Sequence, residues 1–130
     1  MKDWMLITLF ILILIVAGLL EHNYITYSFD NLGALTTKLE QTVSENEGNL
    51  NSAEVINDFN SLQNFWKNRE KKLCLFLNHE NIEEIKHELS NIEINIDYNE
   101  DKQVKLSIAI ILNYVEDYKN HAVVSLESIF

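Results

Sequence analysis

Proline is absent from the 130-residue chain, and glycine occurs only three times, at Gly18, Gly33 and Gly48. Folds with many tight turns, such as β-sandwiches, rely on these two residues, and phosphate-cradling GxGxxG or P-loop segments need clustered glycines. Neither pattern is present in this sequence. The scarcity therefore favours long helices joined by a few connections.

Cysteine occurs once, at Cys74, so no disulfide can form within the chain. Its neighbours are Leu73, Leu75 and Phe76. We expect Cys74 to be a small buried hydrophobic residue rather than a reactive thiol or half of an intermolecular bridge.

Basic residues are also scarce, since 10 lysines and arginines stand against 20 aspartates and glutamates, for a formal net charge of −10. An acidic surface repels the phosphates of nucleic acid and argues against a domain that lies flat on anionic lipid. We therefore expect no nucleic-acid partner.

The long apolar run Trp4–Leu20 is interrupted only by Thr8. A run of about 17 residues is near the short end of a membrane span, but the interfacial rings of Trp4 and Tyr24 extend it to about 30 Å as a helix. The sequence thus predicts a transmembrane anchor at residues 1–24 that contacts lipid through residues 4–20.

The apolar run has two alternatives to an uncleaved anchor. A secretory signal cleaved near Gly18 is disfavoured because the run exceeds the usual apolar length and no polar region precedes the small residues. A buried core helix is disfavoured because one short domain has little apolar surface to cover a helix that is apolar on every face.

The charges beside the anchor predict its orientation. Lys2 precedes the run, whereas the following segment opens with Glu21 and has no lysine or arginine before Lys38. The positive-inside rule then places the N-terminus in the cytoplasm and residues 25–130 outside it.

Apolar residues beyond the anchor recur at steps of three and four, which predicts four helices. The first runs from Trp4 to Ser44, and the loop Ser44–Asn51 follows it. Asn51 or Ser52 caps the second helix, with Glu54 in a capping-box relation to Asn51. The expected inward-facing positions of the later helices are Val55, Phe59, Leu62, Trp66, Leu73 and Phe76, then Ile82, Ile85, Leu89, Ile92 and Ile96, then Val104, Ile108, Ile111, Val115, Tyr118 and Ala122.

The predicted fold class is all-α, with the transmembrane helix continuing into an antiparallel four-helix bundle. Residues 92–98 alternate strictly and residues 106–112 are rich in β-branched side chains, so a hairpin is the alternative there. Both segments also fit the helical period of their neighbours, which favours helix. The apolar tail Val123–Phe130 is expected to pack back onto the bundle.

One cluster has the composition of a metal site. It comprises His79, Glu80, Glu83 and His87, of which Glu83 and His87 are four residues apart on one predicted helix. Ile82 and Ile85 would face the core, so the simpler interpretation is a solvated helix face. We therefore expect no metal and no cofactor.

A second cluster is the basic run Lys67–Lys72, which carries Lys67, Arg69, Lys71 and Lys72 in an acidic domain. It could bind a phosphate, a lipid headgroup or an anionic partner, although pairing with nearby carboxylates is the simpler interpretation. Arg69 occupies an inward slot between Trp66 and Leu73, so we expect it to snorkel or to pair with an acidic residue on another helix.

The aromatic positions, Trp66 and Phe76 among them, are expected to form core, with a ligand pocket between helices as the alternative. No nucleophile–base arrangement is evident, and the carboxylates have no apolar pocket to raise their pKa. We therefore expect that the protein is not an enzyme.

Three motifs together resemble the family catalogued as domain of unknown function 4363. They are the region of Trp66, which departs from W-x-x-x-(R/K) by having Glu70 before Lys71, the segment LCLFLNHENIEEI over residues 73–85, and the terminal SLESIF over residues 125–130. The resemblance implies a small membrane-anchored protein of low-GC Gram-positive bacteria with no established activity. The residues it singles out are Leu73, Phe76, His79, Glu80, Ile82, Glu83, Ser125, Leu126, Glu127 and Ile129.

The sequence therefore predicts a protein that acts by interaction, as an accessory or structural component of the cell envelope. Its expected partner is a membrane protein or a second copy of itself. The alternative is a ligand-sensing bundle, similar to the periplasmic domains of chemoreceptors, that signals through a membrane partner.

Overall fold

The computed structural model describes the backbone of residues 2–129 and the side chains of residues 2–120. This part of the chain contains helices and no strand. The helices are α1 (Lys2–Glu45), α2 (Ala53–Leu73), α3 (His79–Asp97) and α4 (Asp101–Ile129). The predicted all-α fold is confirmed, and residues 92–97 and 106–112 are helical rather than a hairpin.

The helices form an antiparallel bundle in which α1 packs against α2 and α4, and α3 packs against α4 and more weakly against α2. Contacts at two levels show the direction of α2. Phe29 on α1 meets Trp66, whereas Thr42, further along α1, donates a hydrogen bond to Asp58. Increasing numbers on α1 thus meet decreasing numbers on α2, so α2 runs back toward the apolar segment.

The first part of α1 stands apart from the bundle. Residues 2–20 are all exposed, and this is the one helix of the described chain that is long and apolar enough to cross a membrane. Burial on α1 begins only at Ile25 and then follows one stripe through Phe29, Leu32, Leu39 and Val43. One unbroken helix therefore changes from apolar all round to amphipathic.

The core contains nearly all of the predicted inward positions. On α3 and α4 they are buried from Ile82 to Ile96 and from Val104 to Val115, and Tyr118 is half-buried. Phe76 is an exception, because α2 ends at Leu73 and leaves its ring 38% exposed in the following loop. Ala122 and the tail Val123–Phe130, with the side chains that the family resemblance singled out there, lie outside the described side chains.

The N-cap of α2 is Ser52, whose hydroxyl oxygen accepts a hydrogen bond from the amide of Val55. The expected capping-box relation between Asn51 and Glu54 was wrong, because the helix begins one residue later than that pairing requires. The Glu54 carboxylate instead accepts a hydrogen bond from the side chain of Asn46 at 3.4 Å.

The end of the bundle far from the apolar segment is held together by its two loops. The Asn99 side chain donates to the carbonyl of Gly48 and accepts from the amide of Leu50, each at 2.9 Å. Asp101 accepts from the Gly48 amide at 2.9 Å. Gly48 and Asn99 both have positive φ, which glycine and asparagine tolerate best. These bonds join loop 46–52 to the start of α4.

Gly33 allows α4 to approach α1 closely. A Cβ atom at this position would lie 3.1 Å from Cγ1 of Val115, which is tighter than ordinary van der Waals contact. Glycine within a helix costs about 1 kcal/mol relative to alanine. At Gly33, the missing side chain leaves room for Val115 of α4, so it serves the packing between the two helices.

We predict that Gly33→Phe lowers the free energy of unfolding by about 1–3 kcal/mol through overpacking against Val115. Chemical denaturation of the detergent-solubilised protein, followed by circular dichroism, measures the change. The control is Ala34→Phe at the adjacent exposed position, expected to change stability by less than about 0.5 kcal/mol. Replacing glycine by phenylalanine raises helix propensity, whereas replacing alanine by phenylalanine lowers it. A larger loss of stability at Gly33 can therefore come only from packing, and equal losses at the two positions would contradict the packing role.

Candidate functional site at the junction of the apolar segment and the bundle

The basic run Lys67–Lys72 lies at the end of the bundle nearest the apolar segment. It occupies the last turns of α2, which runs antiparallel to α1 and reaches back to the level of Tyr24. The first turn of α3 follows after a short loop. We call this end of the bundle the junction, made of residues 21–29 of α1, 65–78 of α2 and its loop, and 79–85 of α3.

Arg69 is held among three aromatic rings at the junction. Its guanidinium carbon lies 5.0 Å from the ring centroid of Tyr24, 5.0 Å from that of Tyr27 and 5.2 Å from that of Phe65. These distances are within the range of cation–π attraction. The expected pairing of Arg69 with a carboxylate of another helix was therefore wrong, since its neighbours are ring faces.

The aromatic cage was missed from the sequence although its parts have helical spacing. Tyr24 and Tyr27 are three residues apart on α1, and Phe65 and Arg69 are four apart on α2. Each pair therefore occupies one side of its helix. The register between the two helices, which brings both pairs together, is a tertiary property that this spacing does not contain.

Lys72 lies beside the cage, with its Nζ 4.9 Å from the ring centroid of Tyr24. Lys67 and Lys71 are exposed at other positions of α2 and contact none of these rings. The structure thus brings Arg69 and Lys72 together and leaves the other two cations of the run outside the cage.

None of these four cations forms an ion pair with another described residue, contrary to the simpler interpretation of the run. Elsewhere in the described part of the bundle, three lysines do pair across helices or loops, namely Lys38 with Asp58, Lys105 with Glu47 and Lys119 with Asp30. Arg69 and Lys72 therefore offer N–H donors that no described carboxylate occupies.

The histidine cluster is spread along the exposed side of α3. His79 Nε2 lies 3.6 Å from the carboxylate of Glu83, four residues on, and both side chains are more than half exposed. Glu80 contributes its backbone amide to the cap formed by Asn78, and His87 is exposed one turn beyond Glu83. Within residues 2–120, no group of three or more His, Cys, Asp or Glu side chains is placed to hold a metal ion.

Cys74 is half-buried at the C-cap of α2, where its backbone amide donates to the carbonyl of Glu70. Burial raises the pKa of its thiol, and the carboxylates of Glu83 and Glu70 raise it further, with Lys86 acting in the opposite direction. A raised pKa reduces the thiolate fraction at neutral pH. The local field therefore opposes a reactive thiol.

A cavity of about 400 Å³ opens between α1, α3 and α4, close to the junction. Its wall includes Phe29, whose ring stacks on that of Tyr118 at a centroid distance of 4.3 Å. The ring of Phe29 also meets that of Trp66 edge-on, and the buried indole N–H of Trp66 has no hydrogen-bond partner among the described residues. The cavity is lined by Phe29, Leu77, Asn78, Asn81, Ile82, Ile85, Tyr114, Asp117 and Tyr118.

These features define a class of protein, an all-helical bundle that continues from a helix long and apolar enough to span a membrane. The chain belongs to the family described as Domain of unknown function (DUF4363), which matches residues 19–129. The resemblance drawn from the sequence motifs is thereby confirmed at the level of the family. Comparison with curated proteins and with solved structures found no match.

We predict that Tyr118 contributes to loss of stability at alkaline pH. Burial raises its pKa and the Glu21 carboxylate adds to the rise, whereas the hydrogen bond with Thr26 opposes it. The folded state therefore holds the phenolic proton more tightly than the unfolded chain does. This stabilisation is complete below about pH 10 and is lost as the pH rises through the folded-state pKa.

The variant that tests this is Tyr118→Phe, which keeps the ring stacked on Phe29. Its free energy of unfolding is expected to fall less steeply with pH than that of the wild type above about pH 10. Urea denaturation across this range measures the slope. Tyr98→Phe, at a ring 75% exposed, is the control and should keep the wild-type slope. An unchanged slope in the Tyr118 variant would contradict the assignment.

Proposed function

We propose that this protein is a single-pass membrane protein that acts by protein interaction, as an accessory or structural component of the cell envelope. Residues 4–20 lie in lipid, the N-terminus faces the cytoplasm and the bundle lies outside it. The observation that carries this proposal is that the exposed apolar segment and the first bundle helix are one unbroken helix, α1.

A continuous helix fixes the height and rotation of the bundle above the membrane, which a flexible linker would not do. From Glu21 to Glu45, α1 extends about 36 Å at the usual rise of 1.5 Å per residue. A rigid helical extension of this kind suits a protein that presents a surface to a neighbour in the same membrane. A protein that released a diffusing product would not need its domain held at a fixed height.

The partner we propose is another membrane protein or a second copy of this chain. The negative net charge of the protein argues against nucleic acid. We also propose that the protein is not an enzyme. The His79–Glu83 pair is exposed to solvent. The thiolate form of Cys74 is disfavoured by burial of the side chain and by the two carboxylates beside it.

Crosslinking in intact membranes, followed by affinity purification, is expected to return one defined crosslinked species, whose mass identifies a partner or a dimer. A seven-residue glycine–serine insertion between Leu20 and Glu21 should reduce its yield at least about fivefold, because the bundle is no longer held in one orientation.

The matched control places the same insertion between Asp3 and Trp4, which leaves α1 intact from Trp4 onward. It should keep the wild-type yield. Recovery of no defined species would contradict the interaction proposal. Release of the wild-type protein from membranes by alkaline carbonate, or recovery of a chain trimmed near Gly18, would contradict the anchor.

Ligand sensing is the second candidate function, and the cavity beside Phe29 and Tyr118 favours it. A ligand that binds only the folded state raises stability by about 2.7 kcal/mol at a concentration 100 times its Kd. A thermal-shift screen with small anions and amino acids should then give a rise in Tm that Asn81→Leu, within the cavity wall, abolishes. A uniform absence of shifts would remove this candidate.

A further inference from the structure

The unpaired cations at the junction have a geometry suited to a phosphate. The rings of Tyr24, Tyr27 and Phe65 lie about Arg69 at 5.0–5.2 Å, within cation–π range. A guanidinium carries five N–H donors in one plane, and no ion pair or hydrogen bond joins them to another described residue. A donor fork held in place by its surroundings suits the bidentate binding of a phosphate.

The height of this pair above the apolar segment matches the headgroup layer of a bilayer. The helix from Trp4 to Tyr24 spans about 30 Å, the thickness of the hydrocarbon core, so Tyr24 lies at the outer face of that core. Headgroups extend roughly 5–8 Å beyond each face of the hydrocarbon core, since a bilayer is about 40–45 Å thick around a core of about 30 Å. Because Arg69 and Lys72 both contact Tyr24, the proposed span places them where the hydrocarbon core meets the lipid headgroups.

A groove leads from the exposed apolar surface of α1 to Lys72, and Tyr24, which also contacts Arg69, forms part of its wall. It has a volume of about 490 Å³ and begins among apolar side chains, with the exposed ring of Phe76 on its other side. Glu21 contributes one negative charge to this groove, beside the positive charges of Lys72 and of Arg69 in the neighbouring cage. The groove is lined by Ala17, Leu20, Glu21, Tyr24, Lys72 and Phe76.

We propose that Arg69 and Lys72 bind the phosphodiester of an anionic phospholipid, with the start of its acyl chains in the groove between Ala17 and Phe76. The two cations favour a lipid with a net negative charge, such as phosphatidylglycerol, over a zwitterionic lipid, whose ammonium group they repel. A bound lipid at this point fastens the end of α2 to the membrane surface. The inference rests on the membrane-spanning role proposed for residues 4–20.

The test is native mass spectrometry of the full chain released from bilayer nanodiscs that contain equal amounts of phosphatidylglycerol and phosphatidylcholine. The wild type is expected to retain one phosphatidylglycerol molecule with a preference of about tenfold, because both lipids carry the phosphodiester but only phosphatidylcholine adds an ammonium group that Arg69 and Lys72 repel. The double variant Arg69→Gln with Lys72→Gln should reduce this preference to less than about twofold.

The matched control is Lys67→Gln with Lys71→Gln, which removes the same charge from the same two turns of α2 outside the cage. It should keep the wild-type preference. The single variant Lys72→Gln changes an exposed side chain and should lose part of the preference with its fold intact, as checked by circular dichroism. Equal losses in the two double variants would show attraction by net charge alone and would overturn the site.

Two further outcomes separate the possible sources of failure. Displacement of the retained lipid by excess inorganic phosphate would show a site for a free anion and would overturn the lipid assignment. A wild-type chain that enters nanodiscs but shows no preference between the two lipids would overturn this inference and leave the anchor standing. A chain that does not enter them at all would overturn the anchor, and this inference with it.

Discussion

The structure depends on one helix that must satisfy two different surroundings. Over residues 4–20, α1 is apolar and exposed on every side, whereas from Ile25 onward it buries one stripe against α2 and α4. An α-helix meets both demands because its backbone hydrogen bonds are internal and do not depend on what surrounds it. The change of environment is therefore made by side chains alone, without a break in the chain. Every other helix takes its position from the second half of α1, directly or through α4 and α2.

The junction is where these two surroundings meet, and its chemistry differs from the rest of the bundle. Away from it, Lys38, Lys105 and Lys119 pair with carboxylates. At the junction, Arg69 and Lys72 contact aromatic rings. Tyrosine and arginine share the property of a broad apolar face with a polar edge, which is what a boundary between hydrocarbon and water favours. The match to the DUF4363 family extends over residues 19–129, so it includes this junction and the helices of the bundle.

The opposite end of the bundle is closed by hydrogen bonds rather than by rings. Asn99 bonds two backbone groups of the loop that contains Gly48, and Leu50 from that loop is fully buried. Between the two ends, the missing side chain of Gly33 lets Val115 approach α1. A polar link, a close contact and an aromatic cage thus fix the register of the helices at three heights. A hydrophobic core alone specifies this register weakly, because apolar contacts have no direction.

The sequence by itself determined the class of fold, the apolar segment and nearly every buried position. Local periodicity carries that information, since a residue at the third or fourth step of a stripe faces inward whichever neighbour it meets. It also marked the run Lys67–Lys72 and the cluster from His79 to His87 as polar groups worth attention. Only the tertiary structure decided that Arg69 lies among rings and that α2 ends before Phe76. These outcomes depend on which residues of separate helices lie at the same height, and that alignment results from packing over the whole bundle, which no single segment encodes.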